Sequence, residues 1–293
     1  MLAKLAAAAD EQDMRRGDLT LVVALAVVFA PAWLSLARVW SQLEYYNHGF
    51  LVPVVAGWMF AAERRRLGPL RRDGRGLAVI GVAALLLVLG IASASPTWQG
   101  LACVAAAAGW VLHAWGPDGL RRLAFPLAFL LFMVPLPPAV LTPLILRLQL
   151  WVSSAAVAAL QRAGFTVLRE GNVVVLPGGE ELFVAEACSG ITSVVTLLPL
   201  GALLAYFTER GWLRRAALML AVVPIAMLGN WLRVLGTVLA AQRFGVARVT
   251  AGPLHDAAGL TTFLFACFAL IAFAALLRGR ALPRAAQVST EPG

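Results

Sequence analysis

The chain has 293 residues, of which 61% are hydrophobic and only 13% are charged. Soluble domains have roughly 45–50% apolar and about 25% charged residues, so the composition excludes an ordinary soluble protein. The formal net charge is +9. Because the arginines stand in short clusters between apolar runs, they favour anchoring of helix ends over nucleic-acid binding. We therefore predict a multi-pass protein of a lipid bilayer, with no nucleic-acid partner.

The apolar runs predict an all-α polytopic membrane protein with about eight transmembrane helices, since each crossing needs about 20 mostly apolar residues. The runs are residues 19–40, 49–62, 77–95, 101–115, 123–138, 191–207, 216–240 and 257–277. The first run is too long for a signal-peptide core, so we interpret it as a retained span. The predicted organisation is a cytoplasmic tail (1–18), one membrane domain (19–278) and a second cytoplasmic tail (279–293).

Residues 139–164 are apolar but include Arg147, Gln149 and Arg162, a composition that equally suits a helix lying at the membrane interface. The positive-inside tendency decides between these alternatives. With eight spans, every arginine cluster is cytoplasmic only if this segment does not cross. We therefore predict an interfacial helix here, with both termini inside and residues 139–190 facing outward.

Residues 165–184 differ in character from the apolar runs around them. β-Branched residues alternate around two turn signals, Gly171–Asn172 and residues 177–179. The pattern predicts a small extracytoplasmic β-hairpin or three-stranded ribbon. Since open strand edges are not tolerated in hydrocarbon, this segment should lie in water or against protein.

Among the three cysteines, only Cys188 has a position that suggests chemistry. Cys103 and Cys267 lie within apolar spans, where a thiol acts as a small hydrophobic group. Cys188 precedes the sixth span, near the amino end of a helix, where the helix dipole favours the nucleophilic thiolate. Position alone fits a nucleophile and a buried structural cysteine equally well.

Arg233 stands within an apolar helix that begins near Arg215. Eighteen residues of helix rise about 27 Å, so Arg233 should reach the outer boundary of the hydrocarbon. Asn230 shares its helix face. An arginine that extends to the outer headgroups is the alternative, but an ionisable group in a span more often marks a functional partner.

Two of the three histidines, His48 and His255, fall in outward loops just before a span; His113 suits an interfacial belt. Together with Cys188 and Arg233 they provide a nucleophile, an acid/base and a cation on one membrane face, which is the minimum for acyl transfer through a thioester. Neither metal-ligand spacing nor a phosphate-binding glycine loop is present in the sequence. We predict no metal and no cofactor.

Five motifs in this order resemble the exosortases, bacterial membrane enzymes similar in function to sortases. They are Asn47-His-Gly-Phe-Leu-Val-Pro53, Phe132-Met-Val-Pro-Leu-Pro137, Glu186-Ala-Cys-Ser-Gly-Ile191, Asn230-Trp-Leu-Arg233, and His255 followed by Gly259. The chain has Asn47 and Thr192 where many members have Ser and Arg. The resemblance implies that Cys188, Arg233 and His255 are catalytic. It further suggests that His48 and Asn230 orient groups or contact substrate, and that Glu186 is a partner for Arg233 or for a charge on the substrate.

The resemblance implies a cysteine transpeptidase or protease in a bacterial inner membrane, with its active site on the periplasmic face. Its substrates would be secreted proteins with a carboxy-terminal sorting tail, a short Pro-Glu-Pro-like motif followed by a membrane helix, and the acceptor nucleophile is unknown. Two alternatives stay open. One is a non-catalytic permease or scaffold for exopolysaccharide, and the other is acyl transfer to lipid or polysaccharide.

Overall fold

The protein is described here from a computed structural model that covers residues 18–64, 66–183, 190–250 and 252–279. The chain divides into two compact units, residues 1–147 and 148–293. The division lies within a continuous helix, Pro138–Arg162, and not in a linker. The assignment of residues 19–278 to one membrane domain stays a prediction.

The first unit is built from helices. They are α1 (Asp18–Val28), α2 (Ala30–Gln42), a 3-10 helix (Glu44–Phe50), α3 (Leu51–Arg64), α4 (Gly74–Ala92), α5 (Pro96–Arg122), α6 (Ala124–Phe129), a second 3-10 helix (Leu130–Met133) and the start of α7 (Pro138–Arg162). α1 and α2 meet at a bend of 53°. Prolines at the first turns of α2 and α5 suit helix starts, where no backbone N–H bond is lost.

α4 and α5 form an antiparallel pair joined by only three residues, 93–95. Their backbones approach so closely at Gly76 and Gly109 that a side chain on either glycine would overlap the other helix. At one end of the pair, the Arg71 amide donates to the Ala114 carbonyl (2.8 Å). The basic residues around Arg71 therefore lie at the same end as those that close α5, which agrees with the grouping of arginine clusters that the positive-inside interpretation requires.

Two of the sequence motifs pack against each other in this unit. Trp40 Nε1 donates to the Met133 carbonyl (3.0 Å), and the Leu136 amide donates to the Tyr46 hydroxyl (2.7 Å). His48 Nε2 donates to the Phe132 carbonyl (3.1 Å). Side chains of residues 40–48 thus bind the main chain of residues 132–136.

The second unit combines a small sheet with helices. Its elements are the rest of α7, β1 (Leu168–Glu170), β2 (Val173–Val175), β3 (Glu181–Phe183), α8 (Ile191–Thr208), α9 (Trp212–Phe244), α10 (Val246–Thr250) and α11 (Pro253–Gly279). The strands are antiparallel in the order β1-β2-β3, with Glu170 opposite Val173 and Val173 opposite Phe183. The predicted small β-ribbon is confirmed.

One face of the sheet is buried against two helices. Val174 and Leu182 share a core with Val152 and Leu160 of α7 and with residues 234–241 of α9. The opposite half of α9 forms a separate core with α8 and α11. α9 therefore joins the sheet to the helical bundle, and the change from one core to the other lies between Ala226 and Met227, about two turns before Arg233.

The helical membrane fold is confirmed, but the predicted count of eight spans is not. Within the described residues, five helices are long and apolar enough to cross: α4, α7, α8, α9 and α11; the bent pair α1–α2 would be a sixth. α3 has only 14 residues, and the run at 123–138 breaks into a short α-helix and a 3-10 turn. Since α7 is long enough to span, its interfacial location stays a prediction.

Candidate active site

Arg233 and His255 meet in the second unit, on α9 and α11. Arg233 Nη2 lies 3.2 Å from His255 Nε2. Both residues are half-buried. Gly259, one turn along α11 from His255, faces the guanidinium, and a methyl group there would lie in ordinary contact with it, 3.5 Å from Arg233 Nη2. Two of the three predicted catalytic residues are thus in direct contact.

The chemistry of this contact fixes the proton on the imidazole. A guanidinium has only donors, so Arg233 donates and His255 Nε2 accepts through its lone pair. The neutral ring therefore carries its proton on Nδ1. In this arrangement Nε2 is the nitrogen that can take up a further proton, and doing so removes the acceptor from Arg233.

Asn230 lies one turn before Arg233 and is fully buried. It faces α8 at Gly190, which precedes the first residue of that helix with φ +88°. A methyl group on Gly190 would lie 3.3 Å from Asn230 Nδ2 and 3.0 Å from Met227 Sδ. Gly190 thus allows the start of α8 to pack tightly on the helix face that carries Asn230.

A cavity of about 370 Å³ extends beside Arg233 between α9 and α11. Small side chains open it, with Gly229 and Gly236 on α9 and Ala258 on α11. Thr237 also lines it and donates to the Arg233 carbonyl (2.8 Å). A substrate segment beside the guanidinium would therefore find space here.

Other predicted site residues lie elsewhere along the chain. Cys188 and Glu186 fall in residues 184–189, outside the described part of the structure. His48 belongs to the first unit, where it bonds to the Phe132 carbonyl. Burial lowers the pKa of His48, and its hydrogen bond to the Phe132 carbonyl opposes this shift only partly. The role of His48 in the structure is therefore to donate, as a neutral imidazole, the hydrogen bond that holds the main chain at Phe132.

Sequence reasoning did not assign a role to Gly190, Gly259 or Thr192. Both glycines stand within the motifs, but only the packing of α8, α9 and α11 reveals that Gly190 lies tightly against Asn230 and that Gly259 faces Arg233. The Thr192 hydroxyl oxygen is buried, with no hydrogen-bond partner among the described residues. Among all the residues that the structure describes, no group of three or more His, Cys, Asp and Glu side chains is arranged to hold a metal ion.

Comparison with known proteins agrees with the motifs. No curated protein and no solved structure matches the chain significantly. A family model described as transmembrane exosortase matches residues 40–272, a range that includes both the Trp40–His48 segment and the Arg233–His255 pair. The chain therefore belongs to the transmembrane exosortase family.

Proposed function

We propose that this protein is a cysteine transpeptidase or protease that removes carboxy-terminal sorting tails from secreted proteins through a thioester on Cys188. The observation that carries the proposal is the contact of Arg233 with His255. A cation and an acid/base held together at a cavity are two of the three components that thioester chemistry requires.

The chain connectivity supports Cys188 as the third component. Cys188 precedes Gly190 by two residues, and two residues of extended chain reach at most about 7 Å. Gly190 itself packs against Asn230, one helical turn from Arg233. Chain connectivity alone therefore keeps the Cys188 Cα within about 7 Å of the Gly190 Cα.

The first step would be transfer of the Cys188 thiol proton to His255 Nε2. This gives a thiolate and an imidazolium, and the protonated Nε2 can no longer accept from Arg233. The guanidinium is then released to stabilise the thiolate and, after attack on the scissile carbonyl, the oxyanion. Activation of the nucleophile and release of the stabilising cation would be the same event.

Collapse of the tetrahedral intermediate would break the scissile C–N bond. The imidazolium of His255 returns its proton to the leaving amine, and the acyl group stays on the Cys188 sulfur. His255 then deprotonates the incoming acceptor, which is water in hydrolysis or another nucleophile in transfer. Asn230 is proposed to position the start of α8, and Glu186 to pair with a cation of the site or the substrate.

Helix geometry supports a reaction at the membrane boundary. From Trp212 to Arg233, α9 rises about 32 Å, close to the hydrocarbon thickness of about 30 Å. The sheet, whose open edges are not tolerated in hydrocarbon, packs on the residues of α9 that follow Arg233. By the positive-inside interpretation this boundary would be the periplasmic face of a bacterial inner membrane.

The test is mass spectrometry of the carboxy termini of secreted proteins from cells that contain wild-type protein, Cys188→Ala or Cys103→Ala. Cys103 is buried in α5 and serves as the matched control. We expect tail removal with wild-type protein and with Cys103→Ala, and retention of the tails with Cys188→Ala. Normal processing with Cys188→Ala would exclude the thioester mechanism, and tails that are never removed would favour a scaffold role.

A further inference from the structure

A cavity of about 470 Å³ in the first unit combines both signs of charge with aromatic rings. It lies between the start of α1, the end of α3 and the middle of α5. Asp18 and Arg64 provide the opposite charges, and Phe60, Trp110 and Trp115 provide the rings. This combination suits a ligand that carries both a cation and an anion.

The aromatic wall and Asp18 together are suited to an ammonium group. The three rings form one cluster, with Trp110 centred 5.5 Å from Phe60 and 5.4 Å from Trp115. Trp110 Nε1 donates to Asp18 Oδ1 (2.9 Å), which holds the carboxylate beside the rings. An organic cation is attracted both to the faces of aromatic rings and to a carboxylate.

Arg64, exposed in the last turn of α3, brings a guanidinium to the same cavity. Its planar donors can bind two oxygens of a phosphate at once, which a lysine cannot do. A cavity in which a guanidinium can donate hydrogen bonds to a phosphate, and a carboxylate can accept them from an ammonium, matches the headgroup of a zwitterionic phospholipid.

An apolar groove continues from this cavity and accounts for the rest of such a molecule. A second cavity of about 150 Å³ shares Val22 and Trp110 with the first, and extends past Leu25 and Phe29 to Cys103 of α5. From Asp18 to Val28, α1 rises about 15 Å. The groove thus follows α1 away from the charged end and is lined by apolar side chains. These side chains can bury an acyl chain, but they offer no favourable contact to a polar headgroup.

We propose that the first unit binds one zwitterionic phospholipid, with its ammonium beside the Asp18 carboxylate and against the aromatic cluster, its phosphate at Arg64 and an acyl chain in the groove between α1 and α5. The site is built from residues of the first unit alone and does not depend on the proposed reaction. It would give the α1–α3–α5 assembly a structural lipid in place of an additional helix.

The proposal can be tested by native mass spectrometry of the delipidated full-length protein in detergent, titrated with phosphatidylethanolamine or phosphatidylglycerol of identical chains. Because only the former carries an ammonium, we expect the wild type to bind it about tenfold more tightly. Free phosphoethanolamine, which has no acyl chain, should bind at least about a hundredfold more weakly than the lipid. Equal binding of the two lipids, or equal binding of the free headgroup, would refute the proposal without any variant.

Variants then assign the two halves of the headgroup. Asp18→Asn keeps an acceptor for Trp110 but loses the charge, so it should remove the preference for phosphatidylethanolamine. Arg64→Gln should weaken both lipids equally, since both contain phosphate. Asp118→Asn is the control, because Asp118 is an exposed acid of α5 that pairs with Arg71. An Asp18→Asn protein with wild-type melting temperature and unchanged lipid preference would contradict the assigned orientation.

Discussion

Replacing Arg233 with lysine separates a catalytic guanidinium from a membrane anchor. In the structure, Arg233 reaches across from α9 to place Nη2 at 3.2 Å from His255 Nε2, beside Gly259. Lysine retains the charge and the apolar stem that an anchor needs. It lacks the planar fork of donors that, once released from His255, can bind the thiolate and the oxyanion in a fixed geometry.

The expected loss follows from the oxyanion step. Removal of one well-placed donor costs roughly 2.7–4 kcal/mol, which corresponds to about 10²–10³ in rate. We therefore expect Arg233→Lys to insert normally and to process its substrate at least about a hundredfold more slowly. The assay is single-turnover tail removal in membranes with matched protein levels.

The control for this experiment is Arg243→Lys, on an exposed position of the same helix. It should process substrate at the wild-type rate. If Arg233→Lys retained a rate within about threefold of the wild type, the loss of barrier stabilisation would be under about 1 kcal/mol. That result would assign Arg233 the role of a membrane anchor. It would also refute the inference that an arginine in contact with His255 stabilises the oxyanion.

Three further predictions concern Gly259, His48 and the membrane topology. Gly259→Ala should keep activity and stabilise α11 by about 1 kcal/mol in thermal unfolding. Gly259→Leu should displace the guanidinium and lower the rate of tail removal at least about tenfold. Equal rates for Gly259→Leu and the wild type would show that a small residue is not needed at this position. Burial lowers the pKa of His48 below the ordinary 6.5, so the unfolded chain binds the proton first and the wild type should lose stability as pH falls below about 6.5. His48→Gln should have a smaller change in melting temperature between pH 7.5 and 5.5, and an unchanged slope would remove His48 as its cause. Asn172→Cys, in the turn between β1 and β2, should react with an impermeant thiol reagent on intact spheroplasts; labelling only after lysis would invert the proposed topology.

The sequence predicted those elements whose signals are local. Turn residues at Gly171 and 177–179 mark the ends of three-residue strands, and their positions need no knowledge of distant contacts. The bend between α1 and α2 also has a local marker, Pro31 in the first turn of α2, but apolar composition alone predicts one continuous run there. The predicted span at 123–138 is not confirmed, since apolar composition does not reveal that the helix tightens into a 3-10 turn ahead of Pro135.

The candidate site was predictable in composition and not in arrangement. The shared face of Asn230 and Arg233 follows from helical spacing, but the two side chains serve different neighbours: Asn230 faces Gly190 of α8, while Arg233 reaches α11. His48 has the residue type of a catalytic group, yet its contact with the Phe132 carbonyl could be found only once distant segments were brought together. Spacing along one helix identifies a face, and tertiary packing decides what that face contacts.

The packing of residues 40–50 among themselves and against residues 132–136 predicts which positions should covary across the family. The ring of Trp40 occupies the space that a side chain on Gly49 would need. A smaller residue at 40 would therefore permit a larger one at 49, and these two positions should change together. His48 and Trp40 bind the carbonyls of Phe132 and Met133, which every residue type provides. Contact prediction from covariation would consequently detect the Trp40–Gly49 pair and miss the equally close pairs that join the two motifs.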